Sequence, residues 1–264
     1  MYYLLAPILL CLGFLATTST ADCPLASLTT ASNTYTEAQA AGDPATVQAL
    51  GASTLTYTEN FNPSTLATGI LSQPLKLDHN RSTHDTVNCA TFTELIVTNE
   101  AHPYVIASQL SFDNSTATPT LNKIETIITD SNDWLFNATG TLYWASRETW
   151  TPIPEAQRDT RATIQAAADA YCDLFNDKSV VVPWGTPCAR LEGGAYTGTG
   201  SATDRCDVGV PDGVPITNRR YVIDESFGTV DVFNTFAGNV PDSHEFRIEG
   251  GKIRYVHTLS VTGT

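Results

Sequence analysis

Basic residues are scarce in this chain: 14 Lys and Arg stand against 28 Asp and Glu, a formal net charge of −14 over 264 residues of which only 16% are charged. A protein that grips phosphate backbones needs a basic field. Here the first lysine is Lys76, so nucleic acid is not expected as a partner. Long apolar runs are missing too. The run over residues 4–16 is broken by Pro7 and Gly13 and is too short to cross a bilayer, and no later stretch is longer, so no membrane span is expected. No Cys-x-x-Cys or clustered Cys/His spacing occurs, which argues against a zinc site or other metal centre. A Gly-x-Ser-x-Gly elbow, a phosphate-binding loop, a His-Glu-x-x-His pair and a dinucleotide fingerprint are all absent, and Gly198-Thr199-Gly200 has no strand before it. No cofactor is expected, and redox chemistry is disfavoured. What is present is 42% hydrophobic and 9% aromatic residues, enough for one large core or two small ones.

The apolar run leads into small residues ending Ser19-Thr20-Ala21, the pattern of a secretory signal peptide over residues 1–21. Three Asn-x-Ser/Thr sequons at Asn80, Asn114 and Asn137 agree with a secreted, extracellular glycoprotein. Cys11 leaves with the signal, and Cys23, Cys89, Cys172, Cys188 and Cys206 remain, an odd number. Cys172 shares a helical 3-4 spacing with Ile164, Ala167, Ala168, Tyr171 and Phe175, so it reads as the free, buried thiol. The economical pairing of the others is Cys23 with Cys89 and Cys188 with Cys206, one bridge per half, although four cysteines allow three connectivities.

The chain repeats itself. An Ala-rich helical stretch with a tyrosine on its apolar face occurs at Tyr35 and again at Tyr171. Arg81 and Asp85 recur as Arg220 and Asp224, and Lys123-Ile124 recurs as Lys252-Ile253, at offsets of 136, 139 and 129 residues. Three landmarks in one order point to duplication. Pro152 and Pro154 resist both helix and central strand, which sets the boundary: unit 1 over 22–150 and unit 2 over 151–264. Within each copy helices come first and Val, Ile, Thr and aromatic-rich strands after, which predicts an α+β fold.

This order, with Tyr57-Thr58-Glu59-Asn60 after the helices and a last strand opening Gly251-Lys252-Ile253-Arg254, resembles the NTF2-like (SnoaL-like, ketosteroid-isomerase-like) superfamily in both halves. More specifically, the run 182–194, Asn218-Arg219-Arg220-Tyr221-Val222-Ile223-Asp224-Glu225, His244-Glu245-Phe246-Arg247 and Arg254-Tyr255-Val256-His257-Thr258 are similar to a family of secreted fungal proteins of unknown function. The resemblance implies two cone-shaped units in tandem, each a curved antiparallel sheet packed on helices around a pocket. It implies no particular reaction.

The local signal for a site is Gly250-Gly251 between two alternating runs, a two-residue hairpin. Pairing Glu249 with Lys252 and counting outward puts Phe246 opposite Tyr255 and His244 opposite His257, on one face with Asp242. A four-residue loop would change that register, and a hydrogen-bonded pair of histidines finishing the core is the alternative to a functional pair. Arg220 and Asp224 share a face of their strand, as a pocket wall or as an ion pair. Glu192, matching Glu59, is a second carboxylate, and Arg190 is a substrate clamp or the partner of Glu192. Tyr221 and Tyr255 complete the expected binding residues. The first copy has Ile128 at the place assigned to His257, so a single working site should be the second.

The expected function is therefore a secreted protein with a small-molecule pocket in unit 2. It would act as a cofactor-independent lyase, isomerase or hydrolase on a small anionic substrate, with His257, Asp224, Arg220 and His244 as the acid, base and charge-holding groups. The other reading is a non-catalytic ligand-binding or host-interaction protein. Duplication further predicts a monomer organised as an intramolecular pseudo-dimer.

Overall fold

The computed structural model describes residues 23–116 and 118–263, so the expected signal peptide over 1–21, with Cys11, lies outside the described residues. In the first half, α1 (Leu25–Ala41) and α2 (Pro44–Gln48) precede β1 (Gly51–Glu59), β2 (Asn62–Pro63), β3 (His79–Asp85), β4 (Ala90–Val97), β5 (Tyr104–Asp113) and β6 (Thr120–Thr129). Helix α3 (Ala138–Ala145) follows β6, and in the second half α4 (Arg161–Leu174) precedes β7 (Trp184–Glu192), β8 (Ala195–Tyr196), β9 (Ile216–Asp224), β10 (Thr229–Phe236), β11 (Val240–Glu249) and β12 (Lys252–Ser260). The boundary expected at 150/151 falls between α3 and α4.

Both long helices follow from the spacing of their small and apolar residues. Helix α1 buries Leu28, Ala31, Ser32, Tyr35 and Ala38, and α4 buries Ile164, Ala167, Ala168, Tyr171 and Cys172, one stripe in each. Helix α1 stops at Gly42, whose φ of 66° is left-handed, a conformation that glycine adopts without a Cβ penalty. Thr160 caps α4 by accepting from the Thr163 amide, filling one of the open donors at a helix start.

The two six-stranded sheets run β2-β1-β6-β5-β4-β3 and β8-β7-β12-β11-β10-β9. They have the same order, and each is antiparallel except for one parallel pair, β1 with β6 and β7 with β12. One face of each sheet packs on its own helix, and the other faces the opposite sheet. Strand β4 is therefore buried along its whole length. Leu95 and Val97 join the core under α1, while Ala90, Phe92 and Ile96 join a second core with Leu191, Val222, Phe233 and Leu259 of the other half. Burial on both faces removes the polar alternation an exposed sheet would show. No helix among the described residues is long and apolar enough to cross a membrane.

Between the sheets the repeated Asp85 and Asp224 exchange contacts reciprocally. The Ile223 amide donates to Asp85 Oδ2 at 3.0 Å, and the His84 amide donates to Asp224 Oδ2 at 3.0 Å. Asp85 also receives two guanidinium N–H groups of Arg161, at 2.8 and 2.6 Å. Each half thus supplies the acceptor for the other's strand β3 or β9.

The hairpin between β11 and β12 departs from its sequence-based register. Gly250 and Gly251 both have positive φ, as a tight two-residue turn requires, and Glu249 pairs with Lys252 and Ile248 with Ile253. A bulge then adds one residue, Arg254, so that Arg247 pairs with Tyr255, Glu245 with His257 and His244 with Thr258. A one-residue slip turns every later side chain to the other face. His244 and Phe246 point toward α4, whereas Tyr255 and His257 point toward the first half, so the expected His244/His257 pair is not formed. The same pairing corrects the match between copies. Glu59 pairs with Thr126 and Glu192 with Thr258, which makes Glu125, not Ile128, the counterpart of His257.

Two disulfides join Cys23 to Cys89 and Cys188 to Cys206, and Cys172 is free and buried. Burial pushes the Cys172 thiol far above its ordinary pKa, which keeps it protonated and unreactive. The first bridge ties the start of α1 to the turn before β4 across 66 residues. Replacing Cys23 and Cys89 together by alanine is expected to lower the unfolding free energy by about 2–4 kcal/mol. Urea denaturation measures this, and a loss below ~1 kcal/mol would show that the bridge constrains little.

Candidate functional site

A cavity of about 170 Å³ opens on the α4 side of the second sheet, with Trp134, Phe175 and Phe236 among its apolar walls and Arg190, Glu192, Asp242, His244, Thr258 and Ser260 among its polar ones. Strand β11 delivers Asp242 and His244, which are two apart and so share a face. His244 Nδ1 lies 2.7 Å from Asp242 Oδ2, and Ser260 Oγ donates to Asp242 Oδ1 at 2.5 Å. Asn234 stands 3.3 Å from the same imidazole nitrogen. The ring packs among Tyr171, Phe175 and Phe246, with centroids 5.3, 6.0 and 6.1 Å away. This leaves Nε2 as the nitrogen without a hydrogen bond to the described residues.

The first copy shows what the same three positions do when they satisfy one another. Strand register aligns Ser108 with His244 and Thr126 with Thr258, since Ser108 pairs with Thr126 and His244 with Thr258. The helix tyrosines Tyr35 and Tyr171 correspond as well. In the first half Tyr35 Oη lies 2.6 Å from Ser108 Oγ, which lies 3.0 Å from Thr126 Oγ1, a closed chain of hydroxyls. Glu59 is also occupied there. It accepts from Tyr57 Oη at 2.5 Å, Ser64 Oγ at 3.2 Å and the Ile70 amide at 2.5 Å, and Leu66, Ile70 and Leu71 pack into the core beside it. In the second half the larger imidazole replaces the serine. Tyr171 Oη and Thr258 Oγ1 are then buried without a protein partner, an arrangement that costs about 1–3 kcal/mol for each group left unpaired.

Of the binding residues read from the sequence, Arg190 and Glu192 meet at this cavity. They pair with each other, Arg190 Nε lying 2.8 Å from Glu192 Oε1, while Arg190 Nη1 donates to the Cys206 carbonyl at 3.0 Å. Tyr221 donates to Asp169 of α4 at 2.7 Å, on the helix side of the sheet. Tyr255 lies on the opposite face, stacked on Trp150 with centroids 5.6 Å apart.

The other three expected site residues lie between the sheets, away from the cavity, because their strand parity turns them toward the first half. Arg220 pairs with Glu125 at 3.0 Å and lies over the Phe61 ring, so it is not free to hold an anion and does not pair with Asp224. Asp224 caps its own turn, accepting from the Ser226 amide and hydroxyl, besides holding the His84 amide. His257 is inserted between two carboxylates, Glu94 Oε1 at 2.8 Å and Glu148 Oε2 at 2.6 Å. Glu148 also accepts from Tyr196 Oη and Trp150 Nε1, each at 2.9 Å. Arg81 links Glu94 and Glu245, at 3.0 and 2.7 Å, and lies 3.6 Å above the Trp150 ring. Glu94, Glu245 and His257 are spaced closely enough to ligate a metal, but Arg81 already serves both carboxylates.

Charge in this interface is set by burial and pairing together. Burial alone would push the His257 imidazolium down, but Glu94 and Glu148 outweigh it and raise its pKa to about 10. Burial raises Glu245 to about 7 against the pull of Arg81. Burial likewise lifts Asp231 well above the carboxylate range, despite hydrogen bonds from Gln109 and Ser243. Glu94 moves the other way: burial is overcome by His257 and Arg81. The sequence singled out Arg81 and Asp85 only as repeat landmarks and gave no signal for Glu94, Glu148, Trp150 or Asp231.

The sequons lie in different settings. Asn80 and Asn137 are exposed and Asn114 is half-buried, and Asn137 caps α3 by accepting from the Gly140 amide.

A family profile described as Domain of unknown function (DUF8021) matches residues 157–260, a span that includes Arg190, Glu192, Asp242, His244 and Thr258. Among solved structures, the chain is similar to an NTF2-like protein of unknown function from Shewanella baltica OS155, with 10% sequence identity and a TM-score of 0.30, over 40% of this chain and 94% of that one. No curated protein matches. The fold is α+β, with two six-stranded mixed sheets, each carrying its helices.

Proposed function

We propose that this is a secreted protein of two NTF2-like units in which the second cone binds a small molecule and the first serves as its scaffold. In this reading His244 is the acid–base group of the bound state. Asp242 Oδ2 and Asn234 Nδ2 lie against Nδ1, the packing of Tyr171, Phe175 and Phe246 fixes the ring, and Nε2 meets the ligand. An imidazole so held can take a proton from one atom and return it to another, the step common to cofactor-independent lyases, isomerases and hydrolases. The observation that carries the reading is the difference between the copies: the hydroxyls that satisfy one another around Ser108 are left unpaired around His244, at an open cavity. Two disulfides suit an oxidising compartment, and Asn80, Asn114 and Asn137 are the proposed glycan sites. The reciprocal contacts of Asp85 and Asp224 support a monomer that contains its own pseudo-dimer.

The test is a metabolite screen against the purified protein, followed by His244→Gln. Turnover of the compound found should fall by about 10²–10⁴-fold, with the unfolding free energy changed by less than ~1.5 kcal/mol. A His244→Gln protein that turns the compound over at the native rate overturns the acid–base role. A compound that binds the cone and is never converted makes the protein a ligand-binding module instead.

A further inference from the structure

We propose that the second cone selects a single-ring, uncharged compound bearing a hydroxyl or carbonyl group and discriminates against a carboxylate of the same size; this rests on the reading of that cone as a ligand site. Size sets the first limit. An apolar cavity of about 150 Å³ holds a benzene, so about 170 Å³ has room for one six-membered ring with a small substituent. The walls suit such a ring, because Trp134, Phe175 and Phe236 present aromatic surface to it.

Charge sets the second limit, against the anionic substrate expected from the sequence. The cation at the cavity is Arg190, and its guanidinium already has Glu192 at 2.8 Å and the Cys206 carbonyl at 3.0 Å. Asp242 adds a second carboxylate to the same wall. An entering carboxylate would meet two of its own kind around a single guanidinium that already faces one of them, and like charges at close quarters repel. The net charge of −14 opposes its approach from a distance. An ammonium group fares little better. Asp242 Oδ1 is taken by Ser260 and Glu192 pairs with Arg190, so the unpaired Asp242 Oδ2 would face three ammonium donors, too few acceptors to replace the water they give up.

What the cavity does offer is single hydrogen bonds. On its wall Thr258 Oγ1, Asp242 Oδ2 and Arg190 Nε are buried without a hydrogen-bond partner, a hydroxyl, an acceptor and a donor, and Tyr171 Oη, whose ring packs beside that of His244, is unpaired as well. Together with His244 Nε2 they match a ligand hydroxyl or carbonyl. A ligand without such a group would leave them unsatisfied, which is the basis of strong discrimination by polar sites.

The experiment titrates the full chain at pH 6 with benzyl alcohol, acetophenone, benzoate and benzylammonium, following the His244 ring protons by NMR. Benzyl alcohol and acetophenone should shift them saturably, and the two ions should bind at least tenfold more weakly. In Glu192→Gln, whose amide spectrum checks the fold, Arg190 loses its carboxylate and benzoate should gain at least tenfold. Benzoate or benzylammonium binding the native protein as tightly as benzyl alcohol overturns the selectivity while leaving the cone a ligand site. If no probe moves His244, the reading of the cone falls and the proposal with it. If benzoate gains nothing in Glu192→Gln, the account of Arg190 is wrong.

Discussion

His257→Gln is expected to lower the unfolding free energy by about 3–5 kcal/mol, the usual loss when one partner of a buried ion pair is removed. His257, Glu94 and Glu148 are all fully enclosed, and the imidazolium is the group that lies between the two carboxylates. A glutamine amide fills nearly the same space and can donate to one of them, but it carries no charge. Glu94 would then depend on Arg81 alone, and Arg81 is shared with Glu245. The loss is a large part of the roughly 5–15 kcal/mol that holds a typical domain together, and it should be plain in urea titrations followed by tryptophan fluorescence, since Trp150 sits against both His257 and Arg81. The contrast with His244→Gln separates a histidine that joins two sheets from one that faces a cavity. A His257→Gln protein as stable as the native one would mean that the interface charges do not bind the halves together.

Much of this interface was legible as repetition without being legible as contact. Arg81 and Asp85 recur as Arg220 and Asp224 because both copies use the same strand face to meet the other. The partners were hidden because they come from other strands: Glu94 from β4, Glu245 from β11, Glu125 from β6, with Glu148 and Trp150 following α3. Helices were the readable part, since a 3-4 stripe of small and apolar residues has one way to be buried. The hairpin was readable at its turn and failed within a few residues of it. Phe246-Arg247-Ile248-Glu249 and Lys252-Ile253-Arg254-Tyr255 alternate equally well in either register, and nothing in their composition marks Arg254 as the added residue. That one residue decides whether His257 faces the cavity or the other sheet. His244 and Asp242 share a face in either register because they are two apart on one strand, and Glu192 was found as the match of Glu59, with Arg190 as its partner.

The charged interface also fixes how stability responds to pH, and the direction follows from which groups hold protons more tightly when folded. Glu245 is raised to about 7. Its contribution is complete below the ordinary glutamate value near 4.5 and is lost as pH rises through 7. Asp231, also raised, acts in the same sense. His257, raised to about 10, contributes fully below its ordinary value near 6.5 and loses that contribution as pH climbs through 10. Glu94 is lowered, so its contribution is present above 4.5 and disappears as the solution becomes more acid. The four together place the stability maximum in mildly acid solution, around pH 5, with a decline on the alkaline side that starts with Glu245 and continues with His257. From pH 5 to pH 8 Glu245 alone should cost about 2–3 kcal/mol, and His257, whose loss begins above its ordinary value near 6.5, about 2 kcal/mol more, since a tenfold difference in proton affinity between the folded and unfolded chain is worth about 1.4 kcal/mol. Urea midpoints at pH 4, 5.5, 7 and 8.5 measure it. Glu245→Gln keeps the shape and removes the charge, so it should flatten the segment between pH 5 and 6.5 and leave above it the fall belonging to His257. A native protein most stable at pH 8, or a Glu245→Gln protein with the native profile, would show that Glu245 does not hold its proton in the folded interface.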